Sequence, residues 1–346
     1  MGKRVAITFP QTPRAMAWRR VADHISRLLV ENGVEVRWGD VFTYISMVLF
    51  DKWISIDTAD MTHMLLAYSY RWFTKNLVFY VVTEGRPHGA PFKVCPYISK
   101  IYTPSQFSKE MLKKYLNVEA EVVPHGIDPD EYANVNQTLV NNIREKYKGK
   151  ILAFYPCFND PRKNIDFTLE TWSEIIWEVP EAILLLNTNP TGYWNIPALM
   201  EKLKKENPAI EKHVVLTRGE QPLPFQELLA YYHACDLLLF SSTSEGFGYP
   251  ILEAYACGKP VLALDTFGVN ELVRDGETGL LVKTEPPSEL TAIGKHFLIR
   301  RPDREDYIKK TITMLTDEEL RRKLGENAKK EVEKYHFRKV YKVFLP

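Results

Sequence analysis

Short apolar runs alternate with amphipathic stretches of helical period along most of the chain. Residues 4–9 read as a buried strand. The stretch that follows places Trp18, Val21, Ala22, Ile25, Leu28 and Leu29 on one helical stripe, opened by Thr12-Pro13 as N-cap and first helical residue and closed by Asn32-Gly33. Strands follow at 34–38, 54–56, 77–82 and 121–124, with helical patterns at 58–73 and 105–115. A polar, Asn- and Lys-rich stretch at 134–150 reads as a connection between domains. The alternation then resumes, with strands at 151–155, 183–186, 214–216, 236–240 and 261–264 and helices at 166–178, 226–235, 303–315 and 317–335. Two successive sets of alternating strands and helices imply an α/β protein of two doubly wound, Rossmann-like domains.

The densest chemistry lies between the strands at 236–240 and 261–264, in the stretch Ser241-Ser242-Thr243-Ser244-Glu245-Gly246-Phe247-Gly248-Tyr249-Pro250 and the short helix after it. In open α/β sheets, ligands collect at the carboxyl ends of strands, where helix N-termini present free N–H groups. Gly246 and Gly248 leave the backbone bare for close approach, and Pro250 suits a first helical turn, where no N–H is needed. Glu245 stands at the mouth of the loop, and Glu253 lies on the helix where its carboxylate can face the same crevice. Two carboxylates flanking a cluster of N–H donors suit a ligand with many hydroxyls and a phosphate. A second junction, Pro156-Cys157-Phe158-Asn159-Asp160-Pro161-Arg162-Lys163-Asn164, places a lysine where strand meets helix and can neutralise a diphosphate.

The string from Glu245 to Val261 resembles the signature EGFGxPxxEAxAxGxPV of the retaining GT-B glycosyltransferases (glycosyltransferase family 4), with every fixed position filled. The resemblance extends to Pro124-His125-Gly126-Ile127-Asp128, to the Gly-x-x-Glu turn ending at Glu271, and to an Asp-Gly-x-x-Gly hairpin at 275–282. It implies a GT-B fold, with two Rossmann-like domains facing across a cleft: residues 1–148 for the acceptor, 149–325 for the nucleotide-sugar donor, and a C-terminal helix at 326–346 crossing back to the first domain. It implies transfer of a hexose from a UDP- or GDP-sugar to a glycan, lipid or protein-linked acceptor, with retention of configuration. The donor set implied is Arg162, Lys163, Arg218, Glu245, Gly246, Phe247, Gly248, Tyr249 and Glu253, with Glu245 and Lys163 catalytic and Glu253 holding the ribose. The acceptor side takes Thr12, Arg14, Glu84, His88 and His125.

Two departures stand out. The first loop lacks the family's glycine pair, and the Gly-Arg of the phosphate motif is replaced by Cys157 and Phe158, so that either Arg162 substitutes for the guanidinium or the donor is held with one charge fewer. Glu84 reads also as a cap, His88 also as part of an exposed turn, and Arg218 as stacking on the base or facing solvent. A catalytically inactive nucleotide-sugar-binding protein of the same fold is the alternative. A nicotinamide dehydrogenase is disfavoured, since neither domain opens on Gly-x-Gly-x-x-Gly.

The chain has 346 residues, 45% apolar and 26% charged, enough for two domains with substantial cores. A net charge of +1 gives no nucleic-acid signature. The basic residues Arg14, Arg19 and Arg20 beside Trp18 read either as a contact for an anionic membrane or lipid-linked acceptor or as a solvated helix face. Neither His/Cys clusters nor an Asp-x-Asp loop suggest a metal, and no cofactor is expected beyond the nucleotide-sugar co-substrate. Cys95, Cys157, Cys235 and Cys257 lack zinc or redox spacing and read as buried thiols. With no membrane-length apolar segment and no signal-peptide pattern, a cytoplasmic location is expected, possible also at the cytoplasmic membrane face; the sequon at Asn136 is taken as chance.

Overall fold

The computed structural model describes residues 3–9, 16–39, 50–58, 74, 76–87 and 98–346. The helix expected at 58–73, the helix start at Thr12-Pro13, and Arg14, His88 and Cys95 lie outside the described residues.

The first domain is built on β1 (Arg4–Thr8), β2 (Glu35–Gly39), β3 (Lys52–Thr58) and β4 (Leu77–Val82), then β5 (Gly85–Arg86), β6 (Ile98–Thr103) and β7 (Glu121–Val122). All but β5 form one parallel sheet in the order β2-β1-β3-β4-β6-β7. Every residue of β4 is buried, as an unbroken apolar run covered on both faces requires. The helix Met16–Glu31 lays Val21, Ala22, Ile25, Leu28 and Leu29 against this sheet.

The second domain comprises β8 (Ile151–Pro156), β9 (Ala182–Asn187), β10 (Val214–Leu216), β11 (Leu237–Phe240), β12 (Val261–Leu264) and β13 (Gly279–Val282), parallel in the order β10-β9-β8-β11-β12-β13. Its core gathers these apolar strands with Trp172, Tyr232, Tyr255 and Leu324. The strand order reverses between β8 and β11, so the loops leaving these two strands splay apart and open a crevice. The segment expected as a hairpin at 275–282 is instead a turn feeding β13, which pairs in parallel with β12. The Asp275 carboxylate accepts from the Leu281 N–H at 2.8 Å and holds that geometry.

A third, small sheet joins the domains. The hairpin β14 (Ser288–Ala292) and β15 (Lys295–Ile299) turns at Ile293 (φ 48°) and Gly294 (φ 74°), and β15 pairs antiparallel with β5 of the first domain. A Cβ on Gly85 would lie 2.3 Å from the His296 carbonyl oxygen, so only glycine admits this ladder.

The single crossing helix expected at 326–346 is broken into pieces. The helix Glu318–Glu331 packs Leu324 and Ala328 into the second core, whereas Phe337, Tyr341 and Phe344 of the following short turns are buried in the first. His336 causes the break: its backbone is extended (φ −56°, ψ 125°), and its Nδ1 accepts from the Arg338 N–H at 3.2 Å, which restarts a helix in a new direction.

Candidate functional site

The loops leaving β8 and β11 meet at the crevice. The Thr243 N–H and hydroxyl both donate to the Arg162 carbonyl, at 2.8 and 3.0 Å, which fixes one loop against the other. Gly248, at φ 105°, turns the chain into the helix Tyr249–Ala256, a conformation that a side chain would strain. Gly246 serves a different purpose from the one expected. Its bare backbone faces the first domain, where a Cβ would lie 2.9 Å from Val82 Cγ1 and 3.0 Å from the Thr83 carbonyl, and its own carbonyl accepts from the Ser105 hydroxyl at 2.6 Å.

Five charged side chains form a network across the domains. Glu245 is buried and accepts from Lys163 Nζ, with the Arg162 guanidinium 2.9 Å away. The other arm of that guanidinium reaches Glu84 Oε1 at 2.7 Å, and Asp160 stands 3.6 Å from its Nε. Burial alone would raise the Glu245 carboxyl, but Arg162 and Lys163 outweigh it and hold the group below the usual carboxylate range. For Glu84 burial wins over the attraction of Arg162, and its carboxyl is raised. Arg162 therefore sits among three carboxylates and is not free to stand in for a missing phosphate-binding guanidinium.

Glu253 is the second buried carboxylate. It accepts from the Tyr132 hydroxyl at 2.9 Å and the Tyr232 hydroxyl at 2.6 Å, and forms an ion pair with Arg20 of the first helix. Beside it opens a cavity of about 640 Å³, lined from the second domain by Cys157, Phe158, Asn189, Arg218, Tyr249 and Glu253 among others, and from the first domain by Ala17 and Arg20. This volume suits a nucleotide-sized ligand. One wall is the first turn of the helix Tyr249–Ala256, whose positive dipole end favours an anion, although Pro250 has no N–H and the Ile251 N–H donates to the Gly248 carbonyl at 2.9 Å.

His125 lies at the domain junction, buried, edge-on to Phe247 with ring centroids 4.8 Å apart and within 5.9 Å of Trp18. Burial pushes its imidazole down to about 3, so the ring is neutral near pH 7. The Tyr80 hydroxyl gives its one proton to the Val123 carbonyl at 2.8 Å, which leaves its oxygen to accept from His125 Nδ1 at 2.8 Å. The Tyr249 hydroxyl donates to the Gly126 carbonyl at 3.3 Å.

The structure thus brings Arg162, Lys163 and Glu245 together with Glu84, places Arg218, Tyr249 and Glu253 around the cavity, and sets Gly246, Phe247 and His125 in the domain junction. Thr12, Arg14 and His88 lie outside the described residues. Of the basic cluster, Arg20 pairs with Glu253, Arg19 is exposed and Arg14 lies outside the described residues; further along the helix Arg27 pairs with Asp128 and Glu131. Sequence reasoning missed Tyr132, Tyr232 and Arg20 as partners of Glu253. It also missed Glu271 as the cap of the helix Gln106–Leu116, where its carboxylate accepts from the Gln106 and Phe107 N–H groups at 2.7 and 2.8 Å. The glutamate was visible in its motif, but its partner, some 165 residues distant, was not. Cys157 is half-buried, packed against the second core and lining the cavity. Among the described residues there is no cluster of His, Cys, Asp or Glu able to hold a metal, and no helix long and apolar enough to cross a membrane.

A crevice at the switch point of one doubly wound domain, roofed by a second such domain, defines a GT-B protein. Residues 149–317 match the family described as glycosyl transferases group 1, and this second domain belongs to that family. An uncharacterized glycosyltransferase of Methanocaldococcus jannaschii is 34% identical over 240 residues, covering 69% of this chain and 56% of that protein. A GDP-mannose-dependent α-(1-6)-phosphatidylinositol monomannoside mannosyltransferase of Mycolicibacterium smegmatis is 29% identical, covering 61% and 55%. The chain spans about half the length of these curated relatives. Anabaena HepE, solved in complex with UDP and glucose, superposes with a TM-score of 0.71 at 15% identity over 98% of each chain, a likeness of fold.

Proposed function

We propose that this protein is a hexosyltransferase that moves a sugar from a nucleotide-diphosphate sugar to a carbohydrate or lipid-linked acceptor, with retention of configuration and without a metal. The observation that carries this reading is the cavity beside Glu253, with Glu245, Lys163 and Arg162 at the adjoining strand ends. In it the ribose lies at Glu253, displacing or sharing the contact with Arg20, and the diphosphate lies toward the helix N-terminus at Tyr249. Glu245, ionised between its two cations, stabilises positive charge developing at the anomeric carbon, while Lys163 stabilises the departing diphosphate. Glu84 and His125 face the acceptor side, where Glu84, with its raised carboxyl, is placed to handle the hydroxyl proton. The reading is supported by the family membership, by the mannosyltransferase relative that takes GDP-mannose, and by the fold shared with HepE, solved with UDP and glucose.

The test is calorimetry with UDP, GDP, ADP and their sugar conjugates, in EDTA, on the wild type and Glu253→Ala. Tight binding of one nucleotide, weakened about 10- to 100-fold by the substitution, is expected for the loss of charged hydrogen bonds to a ribose. Turnover of the bound sugar nucleotide, with the product anomer read by NMR, then establishes transfer and its stereochemistry. Binding without turnover on any offered acceptor favours the inactive nucleotide-sugar-binding protein, for which the engagement of Arg162 and Lys163 by carboxylates is the motivating observation. Absence of any nucleotide binding overturns the donor site.

A further inference from the structure

A diphosphate in this cavity needs positive charge, and most of the nearby cations already have carboxylate partners. Arg162 bridges Glu84 and Glu245, Lys163 donates to Glu245, and Arg20 pairs with Glu253. Arg218 differs. It leaves β10 at the cavity wall and, among the described residues, forms no ion pair; its Nε, like that of Arg162, is buried without a hydrogen-bond partner, but where both arms of Arg162 meet carboxylates, the Arg218 Nη2 has only Asn189 Oδ1, at the long distance of 3.5 Å. Glu220 on the same wall attracts Arg218 through space but is exposed, forms no ion pair with it, and accepts from the Thr191 hydroxyl at 2.6 Å. Opposite stand Cys157 and the first turn of the helix Tyr249–Ala256, neither of which carries a charge of its own.

A buried guanidinium nitrogen with no acceptor is costly unless a ligand supplies one. Stacking on a base would leave that nitrogen unsatisfied, whereas an anionic oxygen would satisfy it, and a planar guanidinium matches a phosphate in two-pronged fashion. Resting on the donor reading above, we propose that Arg218 binds the diphosphate of the sugar nucleotide and is the guanidinium that neutralises it, in place of Arg162. Burial lowers the Arg218 guanidinium from its usual range, in keeping with a cation that awaits a counter-charge.

The experiment compares wild type, Arg218→Ala and Arg218→Lys, using calorimetry for UDP and GDP and ligand-observed NMR competition for uridine and guanosine. The expected result is a loss of about 10- to 100-fold in diphosphate affinity for Arg218→Ala, with nucleoside affinity held within about twofold and part of the diphosphate affinity recovered in Arg218→Lys. Equal losses for nucleoside and diphosphate would overturn the proposal in favour of base stacking, and an unchanged diphosphate affinity would overturn it outright. Wild-type protein that binds neither diphosphate removes the donor reading itself, an outcome distinct from either of these.

Discussion

His125 offers a quantitative check on the domain junction. Its imidazole is held near 3 by burial against Tyr80, Trp18 and Phe247, while in the unfolded chain it titrates near the ordinary value of 6.5. A folded value depressed below the unfolded one means that the unfolded state binds the extra proton, so the contribution to stability is full above about pH 6.5 and is lost as pH falls toward 3. Between pH 7.5 and pH 5 the loss comes to about 2 kcal/mol, most of it below pH 6.5. His125→Asn retains an N–H that can donate to the Tyr80 oxygen and removes the titration. Urea melts followed by tryptophan fluorescence at half-unit pH steps give the two profiles, and carboxylates common to both proteins cancel in the difference. The wild-type profile is expected to fall about 2 kcal/mol further than that of the variant over this range. Parallel profiles would show that the ring is hydrated or charged in the folded protein, and the account of a neutral His125 at the junction would fail.

Lys163→Met leaves Glu245 with Arg162 as its remaining cation, so the carboxyl should rise and the leaving group lose one fixed charge. Turnover measured on the cognate sugar nucleotide is expected to drop about 10²- to 10³-fold with a smaller change in KM, and a drop of less than tenfold argues against a role for Lys163 in the reaction. Gly85→Val drives a side chain into the His296 carbonyl and should detach β15 from β5. Limited proteolysis is expected to cut the hairpin at Ile293-Gly294 faster in the variant, with equal cutting rates telling against the ladder as an interdomain tie.

Much of the fold was legible because its signals are local. The unbroken apolar runs of β4 and β11 could bury both faces only in covered parallel sheets, and Ser105, Asp303 and Asp317 announced helix starts that the structure confirms with side-chain caps. The motif from Glu245 to Val261 fixed where the cleft had to lie, since a glycine-rich turn between two buried strands has little else to do. The hairpin at 288–299 escaped notice because its burial alternates weakly and its partner, β5, is two residues long and some 200 positions away.

The sequence by itself determined two doubly wound domains and the strand-end loops that carry the charged residues, and it singled out Glu245 and Glu253, both of which the structure buries. Only the tertiary structure decided how those charges are shared. Arg162 looked like a spare phosphate ligand and proved to bridge Glu84 and Glu245; Arg20 looked like a surface cation and proved to pair with Glu253; Arg218 kept an unsatisfied nitrogen at the cavity. Helix and strand periods are written in neighbouring residues, but an ion pair such as Arg20 with Glu253 is a matter of distance between side chains 233 positions apart, and only the closing of one domain on the other sets it.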